Sequence, residues 1–374
     1  MIDMRPDVDR LVRRAVAEMK PYVPILPFEV VSEQLGRPVE RIIKLDANEN
    51  PYGPSPRALE ALAGLSFTAP IYPDPEARKL RAILAKYVDV SDAHILVGAG
   101  ADELIDLIAR LLIDAGDTVI DCPPTFGMYS FDAAQSGAEV VSVMRRPDFS
   151  LDLDGIERTA IERRAKLLFL GSPNNPDGSL IPAEQIERLL RLPLVVALDE
   201  AYIEFSGAES LAARVPDTPN LVVLRTFSKW AGLAGLRVGY GVFPKALIDH
   251  LWKIKQPYNL NVAADAAARA SLADLPALRA NIQKIAAERA RMGEALSEIP
   301  FLRPYPSRSN FVLCQVSGMD AALLKKRLAE EAGILIRYFD KPGLRDHIRI
   351  SAGKPEHTDA LIAALKRIGG IDGH

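Results

Sequence analysis

The sequence predicts an α/β protein with two domains: a three-layer α/β/α large domain built on a mostly parallel sheet, and a smaller α+β domain. Short apolar runs alternate with helical stretches between about residues 95 and 261, as in a parallel sheet covered on both faces. After Asn261 the pattern changes to longer helices that separate a few strands. The 374 residues also exceed what one hydrophobic core usually holds.

Residues 1–47 are expected to form an irregular N-terminal arm that packs with the small domain or with a partner subunit. A short helix is expected over Val8–Met19, and Pro21, Pro24 and Pro27 disfavour regular structure after it. Turn-forming residues then fill positions 46–54.

The large domain is predicted over residues 48–261. A helix is expected over Asp102–Ile113, where leucine and isoleucine recur at helical spacing. The apolar runs predict strands at Ile95–Val97, Val119–Ile120, Glu139–Met144, Ala165–Leu170, Leu194–Leu198, Leu221–Leu224 and Val238–Phe243.

The small domain is predicted over residues 262–374. Helices are expected at Ala263–Ala273, Ala277–Ile299, Asp320–Ala332 and Glu356–Ile368. Strands are expected at Asn310–Val316, Ile334–Tyr338 and His347–Ile350.

The composition excludes several classes of partner. The 46 basic and 49 acidic residues give a net charge of −3, so no electrostatic footprint for nucleic acid or an anionic membrane is expected. Two cysteines form neither a disulfide framework nor a zinc spacing, and the five histidines do not cluster at metal-ligand spacing. No signal sequence and no run of 18 apolar residues is apparent, so a cytoplasmic protein without a metal is expected.

A lysine after a predicted strand is the first candidate for chemistry. Lys229 follows the strand that ends near Leu224, and a lysine in a partly desolvated site has the lowered pKa that a Schiff base needs. Thr226 and Ser228 flank a position where a phosphate could sit, and Arg237 could clamp the same phosphate. Taken alone, the segment is better explained as an exposed lysine in a glycine-rich loop.

Three other segments place polar residues after strands. Asp199 and Glu200 end an apolar strand, where open α/β sheets place their sites, and an acid there could hold a pyridinium N–H. Asn175 follows an earlier strand and could donate to a phenolate oxygen, although an ordinary Asn-Pro turn also explains it. The small residues from Gly98 to Asp102 lead from a strand into a helix and suit a single phosphate.

These segments all follow strands of one predicted sheet, so their separate structural explanations are jointly improbable. On them the chain resembles the fold-type I pyridoxal-phosphate aminotransferases of the aspartate aminotransferase superfamily, and within it the histidinol-phosphate branch. The resemblance runs from Tyr22 to Lys354. Its most specific segments are Asn48-Glu49-Asn50-Pro51, Tyr72-Pro73, Gly100-Ala101-Asp102-Glu103, Cys122–Tyr129, Ser172–Pro176, Asp199–Tyr202, Thr226–Lys229, Gly235-Leu236-Arg237 and Arg349-Ile350-Ser351.

The resemblance implies that the cofactor is pyridoxal 5′-phosphate. It implies that Lys229 binds the cofactor as a Schiff base and moves the proton of the substrate α-carbon, and that Asp199 keeps the pyridine nitrogen protonated. Asn175 and Tyr202 are expected to hydrogen-bond the 3′-oxygen. Phe126 matches the ring-stacking position, with Tyr129, the other candidate, assigned to packing.

The cofactor phosphate is expected to meet residues from both subunits. Tyr72 matches a tyrosine that reaches the phosphate from the neighbouring subunit, which implies an obligate homodimer, although a Tyr-Pro turn would also explain it. The phosphate-binding residues expected from the same chain are Ala99, Gly100, Ala101, Asp102, Thr226, Ser228 and Arg237.

Arg337 and Arg349 are expected to bind the phosphate of the substrate, helped by Tyr22 from the arm. The alternative for the arginines is a structural ion pair with Asp340 or Asp346. Asn50 and Asn310 are expected to line the same pocket.

The expected reaction is transamination between L-histidinol phosphate and 2-oxoglutarate, giving imidazole acetol phosphate and glutamate. An aromatic or broad-specificity aminotransferase is the alternative, because arginine accepts a carboxylate as well as a phosphate. A threonine-phosphate decarboxylase is a further alternative. A non-catalytic regulator with this fold is the alternative from another class, against which the retained Lys229, Asp199 and Arg237 argue.

Overall fold

The computed structural model describes residues 8–22 and 24–371, except for the side chain of Phe67. Twelve strands form two sheets within these residues. The strands are β1 Ile43–Leu45, β2 Ile95–Gly98, β3 Thr118–Asp121, β4 Glu139–Ser142, β5 Leu167–Gly171, β6 Val195–Asp199, β7 Leu221–Thr226, β8 Gly239–Val242, β9 Leu302–Pro304, β10 Phe311–Val316, β11 Ile334–Tyr338 and β12 His347–Ser351.

Helices cover the sheets. They are α1 Arg14–Ala17, α2 Phe28–Leu35, α3 Pro56–Ala63, α4 Arg78–Val88, α5 Ala101–Leu112, α6 Met128–Gln135, α7 Leu153–Glu162, α8 Ala183–Leu189, α9 Lys245–Ile254, α10 Val262–Leu272, α11 Leu275–Ser297, α12 Ala321–Ala332 and α13 Pro355–Gly369.

The large sheet has seven strands in the order β2-β8-β7-β6-β5-β3-β4. Strands β7, β6, β5, β3 and β4 run parallel to one another, and β8 is antiparallel to both of its neighbours, β2 and β7. Strand β2 therefore runs in the same direction as β7. The carboxyl ends of six strands consequently meet at one edge of this sheet.

Both faces of the large sheet are buried. Side chains alternate across a strand, so neighbours along β5 enter different cores. Leu168 and Leu170 belong to the core that includes residues of α3, α4 and α10, whereas Leu167 and Phe169 belong to the core that includes residues of α5 and α9. The predicted three-layer α/β/α architecture is confirmed.

The smaller sheet has five strands in the order β1-β11-β12-β10-β9. Strand β1 is parallel to β11, and the other pairs are antiparallel. The strands predicted at 310–316, 334–338 and 347–350 occupy its centre. The division of the chain at residues 47 and 261 stays a prediction.

The prediction of an irregular arm was wrong. Helix α2 begins directly after Pro27, which occupies its N-cap position, and strand β1 pairs Ile43 and Leu45 with β11. Proline is well tolerated at a helix start because no intrahelical partner is needed for its missing N–H. A three-residue strand whose partner lies almost 300 positions away leaves no local signal.

The continuous helix predicted over Val8–Met19 was also wrong. The structure has a 3-10 helix over Val8–Leu11 and the single α-helical turn of α1. Neither element buries a residue. A short helix without a packed apolar face is unstable in water, which explains the break.

Candidate active site

The predicted site residues that follow strands come together at the carboxyl edge of the large sheet. Asn175 lies in the turn after β5, Asp199 is the last residue of β6, and Thr226 is the last residue of β7. These three strands are adjacent and parallel. Their common edge is where ligand sites of open α/β sheets lie.

Lys229 lies in the loop after β7 and turns towards the arm. Its Nζ donates a hydrogen bond to the carbonyl oxygen of Ala47 at 3.3 Å. Loss of hydration, together with the smaller effect of the positive Arg349, lowers the pKa of Lys229 to about 8 against the opposing effect of Glu49. Near neutral pH an appreciable fraction of the lysine is therefore the uncharged amine, which is the nucleophilic form.

Asp199 is buried beside this lysine. Its carboxylate accepts hydrogen bonds from the hydroxyl of Tyr129 at 2.6 Å and from the N–H of Ala201 at 2.9 Å. Burial raises the pKa of Asp199 to about 6, although both hydrogen bonds and the charge of Lys229 favour the ionised form. A carboxylate held in this way suits a ring N–H, since a cationic partner would offset the loss of hydration.

Tyr129 has a larger role than the packing expected for it. Its ring stacks on Phe169 with centroids 5.2 Å apart, as packing requires, but its hydroxyl also donates to Asp199. Phe126 is half-buried and contacts Tyr129 edge-on at 5.5 Å. The ring-stacking role of Phe126 stays a prediction.

Tyr202 and Asn175 each have a partner in another part of the chain. The hydroxyl of Tyr202 accepts a hydrogen bond from Asn48 Nδ2 at 3.0 Å. The side-chain oxygen of Asn175 accepts from Arg349 Nη1 at 2.6 Å. Burial raises the pKa of Tyr202, so its hydroxyl remains protonated.

Hydroxyl and guanidinium donors meet at the predicted phosphate position. Thr226 Oγ1 and Ser228 Oγ are hydrogen-bonded at 2.9 Å, and Arg237 Nη1 lies 3.4 Å from Ser228 Oγ. Arg237 also pairs with Asp102 at 2.8 Å, although both side chains remain about half exposed. These donors, with the first turn of α5 beside them, suit a phosphate dianion.

Two of the backbone N–H groups expected at the phosphate already have acceptors in this structure, and their contact with the phosphate stays a prediction. The N–H of Ala99 donates to Glu103 Oε2 at 2.5 Å, and that of Gly100 donates to the carbonyl of Gly98 at 2.8 Å. These two groups are therefore already satisfied within the turn. The unsatisfied donors are the N–H groups of the first turn of α5, beginning at Ala101 and Asp102, because the first N–H groups of a helix have no intrahelical acceptor.

The two arginines that are predicted to bind the substrate lie opposite each other on neighbouring strands of the small sheet. Arg337 on β11 is directly opposite Arg349 on β12, and both guanidinium groups lie 5.6 Å from the ring of Phe339. Arg349 is 5% exposed, and its burial lowers its pKa to about 10. Its Nη1 and Nη2 donate to Asn175 and to the carbonyl of Asp46, while its Nε has no partner.

The structural ion pairs considered for these arginines do not form. Asp340 pairs with Arg345 at 3.0 Å, and Asp346 contacts His347 at 2.7 Å. Within residues 8–22 and 24–371, no carboxylate lies within 4 Å of the guanidinium groups of Arg337 and Arg349. Like charges placed directly opposite each other are unfavourable, so the pair is suited to an anionic ligand.

The remaining predicted site residues lie at the periphery. Asn310 donates to the carbonyl of Asn48 at 2.9 Å, and Asn50 donates to the carbonyl of Trp230 at 2.9 Å, so both are buried supports of the chain around the site. Tyr22 is 44% exposed and its ring lies 6.2 Å from that of Phe131.

Among the predicted site residues, Tyr72 is the most exposed. Its side chain is 81% exposed, and its ring packs on that of Tyr258 at 4.8 Å. Ile71 beside it is 57% exposed. The ring contact of Tyr72 is thus with Tyr258, which is not one of the predicted site residues.

A cavity of about 570 Å³ lies on the arm side of the site. Arm residues from Ile25 to Phe28, Lys44 of strand β1, Ser351 and His357 are among the residues that line it. Of the predicted site residues it contains only Asn50, and it borders Lys229 through Ala47. This cavity adjoins the site on the side of the arm.

Sequence reasoning missed three residues that hold the site together. Asn48 was noticed only as part of a motif, Ser351 likewise, and Tyr129 was assigned to packing. Their contacts join segments that are up to 303 positions apart, and no local pattern reports such contacts. Glu200, which the sequence analysis considered beside Asp199, has a structural role instead. Its carboxylate accepts hydrogen bonds from the hydroxyl of Ser210 and from the N–H of Leu211.

The residues present fit pyridoxal phosphate. A Cβ on Gly239 would lie 2.5 Å from the backbone nitrogen of Ala101, so this glycine lets β8 lie directly against the phosphate turn. The donor set offers a desolvated lysine, a buried carboxylate and a guanidinium with two hydroxyls, which match an aldehyde, a pyridine nitrogen and a phosphate. In the described part of the chain, no group of three or more possible metal ligands occurs, and no helix is long and apolar enough to cross a membrane.

Comparison with known proteins agrees with this geometry. The family described as aminotransferase class I and II matches residues 40–365. The chain is 55% identical to the chloroplastic histidinol-phosphate aminotransferase of Nicotiana plumbaginifolia, over 96% of this chain and 86% of the relative. It is 53% identical to histidinol-phosphate aminotransferase of Roseiflexus castenholzii, over 98% and 100% of the two chains.

A solved structure extends the likeness to the fold. The crystal structure of histidinol-phosphate aminotransferase from Sinorhizobium meliloti in complex with pyridoxal-5′-phosphate matches with a TM-score of 0.88 at 32% identity. The match covers 97% of this chain and 98% of the other.

Proposed function

The chain belongs to the class I and II aminotransferase family, and from this we propose that it is a pyridoxal-phosphate enzyme that exchanges an amino group between L-histidinol phosphate and 2-oxoglutarate. The reaction gives imidazole acetol phosphate and glutamate and belongs to histidine biosynthesis. The observation that carries the substrate assignment is the pair Arg337 and Arg349, which lie opposite each other without a carboxylate partner among the described residues. The charge of Arg349 also acts on Lys229.

Different side chains of the protein have different roles in the reaction. The lowered pKa of Lys229 supplies an amine that can bond to the cofactor aldehyde and then hold and release the α-proton of the substrate. Asp199, fixed by Tyr129 and the N–H of Ala201, holds the pyridine N–H. Pyridoxal phosphate, when bound, supplies an electron sink and carries the amino group.

Binding and orientation come from the other polar groups. Thr226, Ser228, Arg237 and the first turn of α5 hold the cofactor phosphate, and Asn175 and Tyr202 hold the 3′-oxygen. Arg349 is fixed by Asn175 and by the carbonyl of Asp46, so its guanidinium is oriented before substrate arrives. An oriented cation binds the phosphate of histidinol phosphate and the carboxylate of 2-oxoglutarate in turn.

The assembly we propose is a homodimer with a shared site. The exposed Tyr72 ring, beside the exposed Ile71, would reach the cofactor phosphate of the neighbouring subunit. We also propose a cytoplasmic location, although the Nicotiana relative is named as chloroplastic. Cell fractionation with an antibody to the chain tests the location.

Steady-state kinetics test the substrate. We expect kcat/KM for histidinol phosphate with 2-oxoglutarate to exceed that for phenylalanine and tyrosine. Good activity on the aromatic amino acids without turnover of histidinol phosphate would instead support the aromatic aminotransferase, and release of carbon dioxide from threonine phosphate would support the decarboxylase.

Replacing the lysine tests the chemistry. Lys229→Ala should lower kcat by roughly 10³-fold or more and remove the visible absorbance of the lysine-bound cofactor, because the nucleophile and the proton carrier are lost. Lys245→Ala, which removes an exposed lysine paired with Asp249, is the matched control. Turnover that survives in Lys229→Ala would contradict the covalent mechanism, whereas a wild-type chain without any turnover would favour the regulator.

A further inference from the structure

Asn48 is an asparagine in an unusual position. It is 1% exposed and has a φ of 56°, in the left-handed region that few residues other than glycine adopt. Asparagine tolerates this conformation better than most side chains. The chain therefore directs this amide inward at a point where a bulky or β-branched residue would be strained.

Every polar group of Asn48 is hydrogen-bonded, and the three partner residues lie in different segments of the chain. Its N–H donates to Ser351 Oγ at 2.9 Å, and its carbonyl accepts from Asn310 at 2.9 Å. Its Oδ1 accepts from Ser351 Oγ at 3.1 Å, and its Nδ2 donates to the hydroxyl of Tyr202 at 3.0 Å. One residue thus connects the end of the arm, the small sheet and the loop after β6.

These contacts fix the direction of the amide. The Ser351 oxygen accepts the backbone N–H of Asn48, so the hydroxyl has its own proton available for Oδ1. With Oδ1 engaged there, Nδ2 faces Tyr202 as a donor. The Tyr202 oxygen then accepts one hydrogen bond, and its proton is free to point away from Asn48.

We propose that Asn48 is a positioning residue that orients the hydroxyl of Tyr202 so that its proton is donated to the 3′-oxygen of the cofactor. The inference rests on the proposed function, because it concerns how the chain tunes the bound cofactor. A proton donated to this oxygen stabilises its anionic form and so lowers the pH at which the lysine-bound cofactor gains its proton. Asn48 acts on this equilibrium only through Tyr202.

The pH titration of the visible absorbance band of the holoenzyme tests this role. Asn48→Gly keeps the left-handed backbone and removes the donor, and we expect the titration midpoint to rise by about half to one pH unit. Tyr202→Phe should move the midpoint in the same direction. In the Tyr202→Phe background, Asn48→Gly should add less than about a quarter of its own shift, because the group through which it acts is gone.

A second variant decides the matter if Asn48→Gly does not fold. Asn48→Asp keeps the shape and the backbone preference but replaces the donor by an acceptor, so it should turn the Tyr202 proton away from the cofactor. The added negative charge also raises the titration midpoint, and this electrostatic part of the shift persists in the Tyr202→Phe background. The difference between the shifts in the two backgrounds therefore reports the orientation of the Tyr202 hydroxyl alone. Asn220→Ala, which removes a side chain bonded to three carbonyls in another part of the fold, should destabilise the protein without moving the midpoint.

The outcomes separate the inference from the proposed function. Equal shifts with and without Tyr202, or no shift in either Asn48 variant, would overturn the positioning role while leaving the transaminase intact. A wild-type chain that binds pyridoxal phosphate without any visible band would overturn both.

Discussion

At the scale of single residues, the site depends on charges that the fold leaves without ordinary partners. Arg349 is buried among aromatic rings with its Nε unpaired, and Lys229 Nζ donates to a backbone carbonyl oxygen, with no carboxylate paired to it in the described part of the chain. Unpaired cations of this kind are costly to bury and are retained at binding and catalytic sites. The family resemblance implied these roles, and the surroundings of both residues support them.

The guanidinium geometry of Arg349 leads to the first prediction. Arg349→Lys keeps the charge but cannot contact Asn175, the Asp46 carbonyl and a substrate oxygen together, which costs about 1.5–3 kcal/mol of binding. We expect KM for histidinol phosphate to rise roughly 10- to 100-fold with a smaller change in kcat. Arg345→Lys, an exposed arginine paired with Asp340, is the control. An unchanged KM in steady-state assays would show that Arg349 does not bind the substrate.

Asp132 gives a prediction about pH and stability. It is 5% exposed, its Oδ2 has no partner, and burial raises its pKa to about 7, with Asp106 and Asp102 adding to the shift. The folded state therefore binds this proton more tightly than the unfolded chain, and stability falls as pH rises from about 4 to about 7.

Asp132→Asn removes this titration, so its Tm relative to wild type should be higher by a few degrees at pH 8 than at pH 5. Thermal unfolding of both proteins at the two pH values measures it. Asp249→Asn, which removes an exposed carboxylate paired with Lys245, should not show this gain. A Tm difference that is the same at both pH values would mean that Asp132 titrates normally.

At the scale of elements, the phosphate turn depends on how closely two segments approach. Strand β8 lies against the start of α5 at Gly239, where a Cβ would come within 2.5 Å of the Ala101 nitrogen and 2.7 Å of the Gly100 carbonyl carbon. Backbone atoms cannot move aside as a flexible side chain can. The close approach of strand β8 to the start of α5 thus depends on the missing side chain of Gly239.

Gly239→Ala should therefore push the N-terminus of α5 away from the phosphate position. We expect a loss of about 1–3 kcal/mol of stability and a weaker affinity for pyridoxal phosphate, measured by titrating the apoenzyme with the cofactor. Gly235→Ala, where nothing lies within 4 Å of the added Cβ, is the matched control and should leave the affinity unchanged. Equal affinities of the two variants would contradict this account of the turn.

At the scale of the whole molecule, the exposed Tyr72 is the residue predicted to contact the cofactor phosphate of the neighbouring subunit. In a two-fold symmetric dimer each subunit would give its Tyr72 to the other, so the two sites would be reciprocal. Neither Tyr72→Ala nor Lys229→Ala homodimers should then be fully active.

Mixing these two variants tests the shared site. A hybrid dimer would hold one site with Lys229 and an intact Tyr72 from the other subunit, so subunit exchange should restore up to about a quarter of the wild-type activity. Mixing Tyr72→Ala with Asp199→Ala should give the same recovery, whereas each variant incubated alone should not gain activity. No recovery after proven subunit exchange would show that Tyr72 serves its own chain or no site.

The sequence by itself determined the layered α/β fold, the central strands of both sheets and the identity of the polar residues after those strands. It could do so because burial on both faces produces apolar runs, and because the end of such a run marks the sheet edge where Asn175, Asp199 and Lys229 lie. Only the tertiary structure decided that the arm adds β1 to the small sheet, that Glu103 accepts a hydrogen bond from the N–H of Ala99, and that Asn48 contacts Tyr202. The β1 pairing and the Asn48 contact join residues 154 or more positions apart. The Glu103 contact is local, but it depends on how the side chain folds back on its own turn. None of these contacts therefore produces a periodic pattern along the sequence.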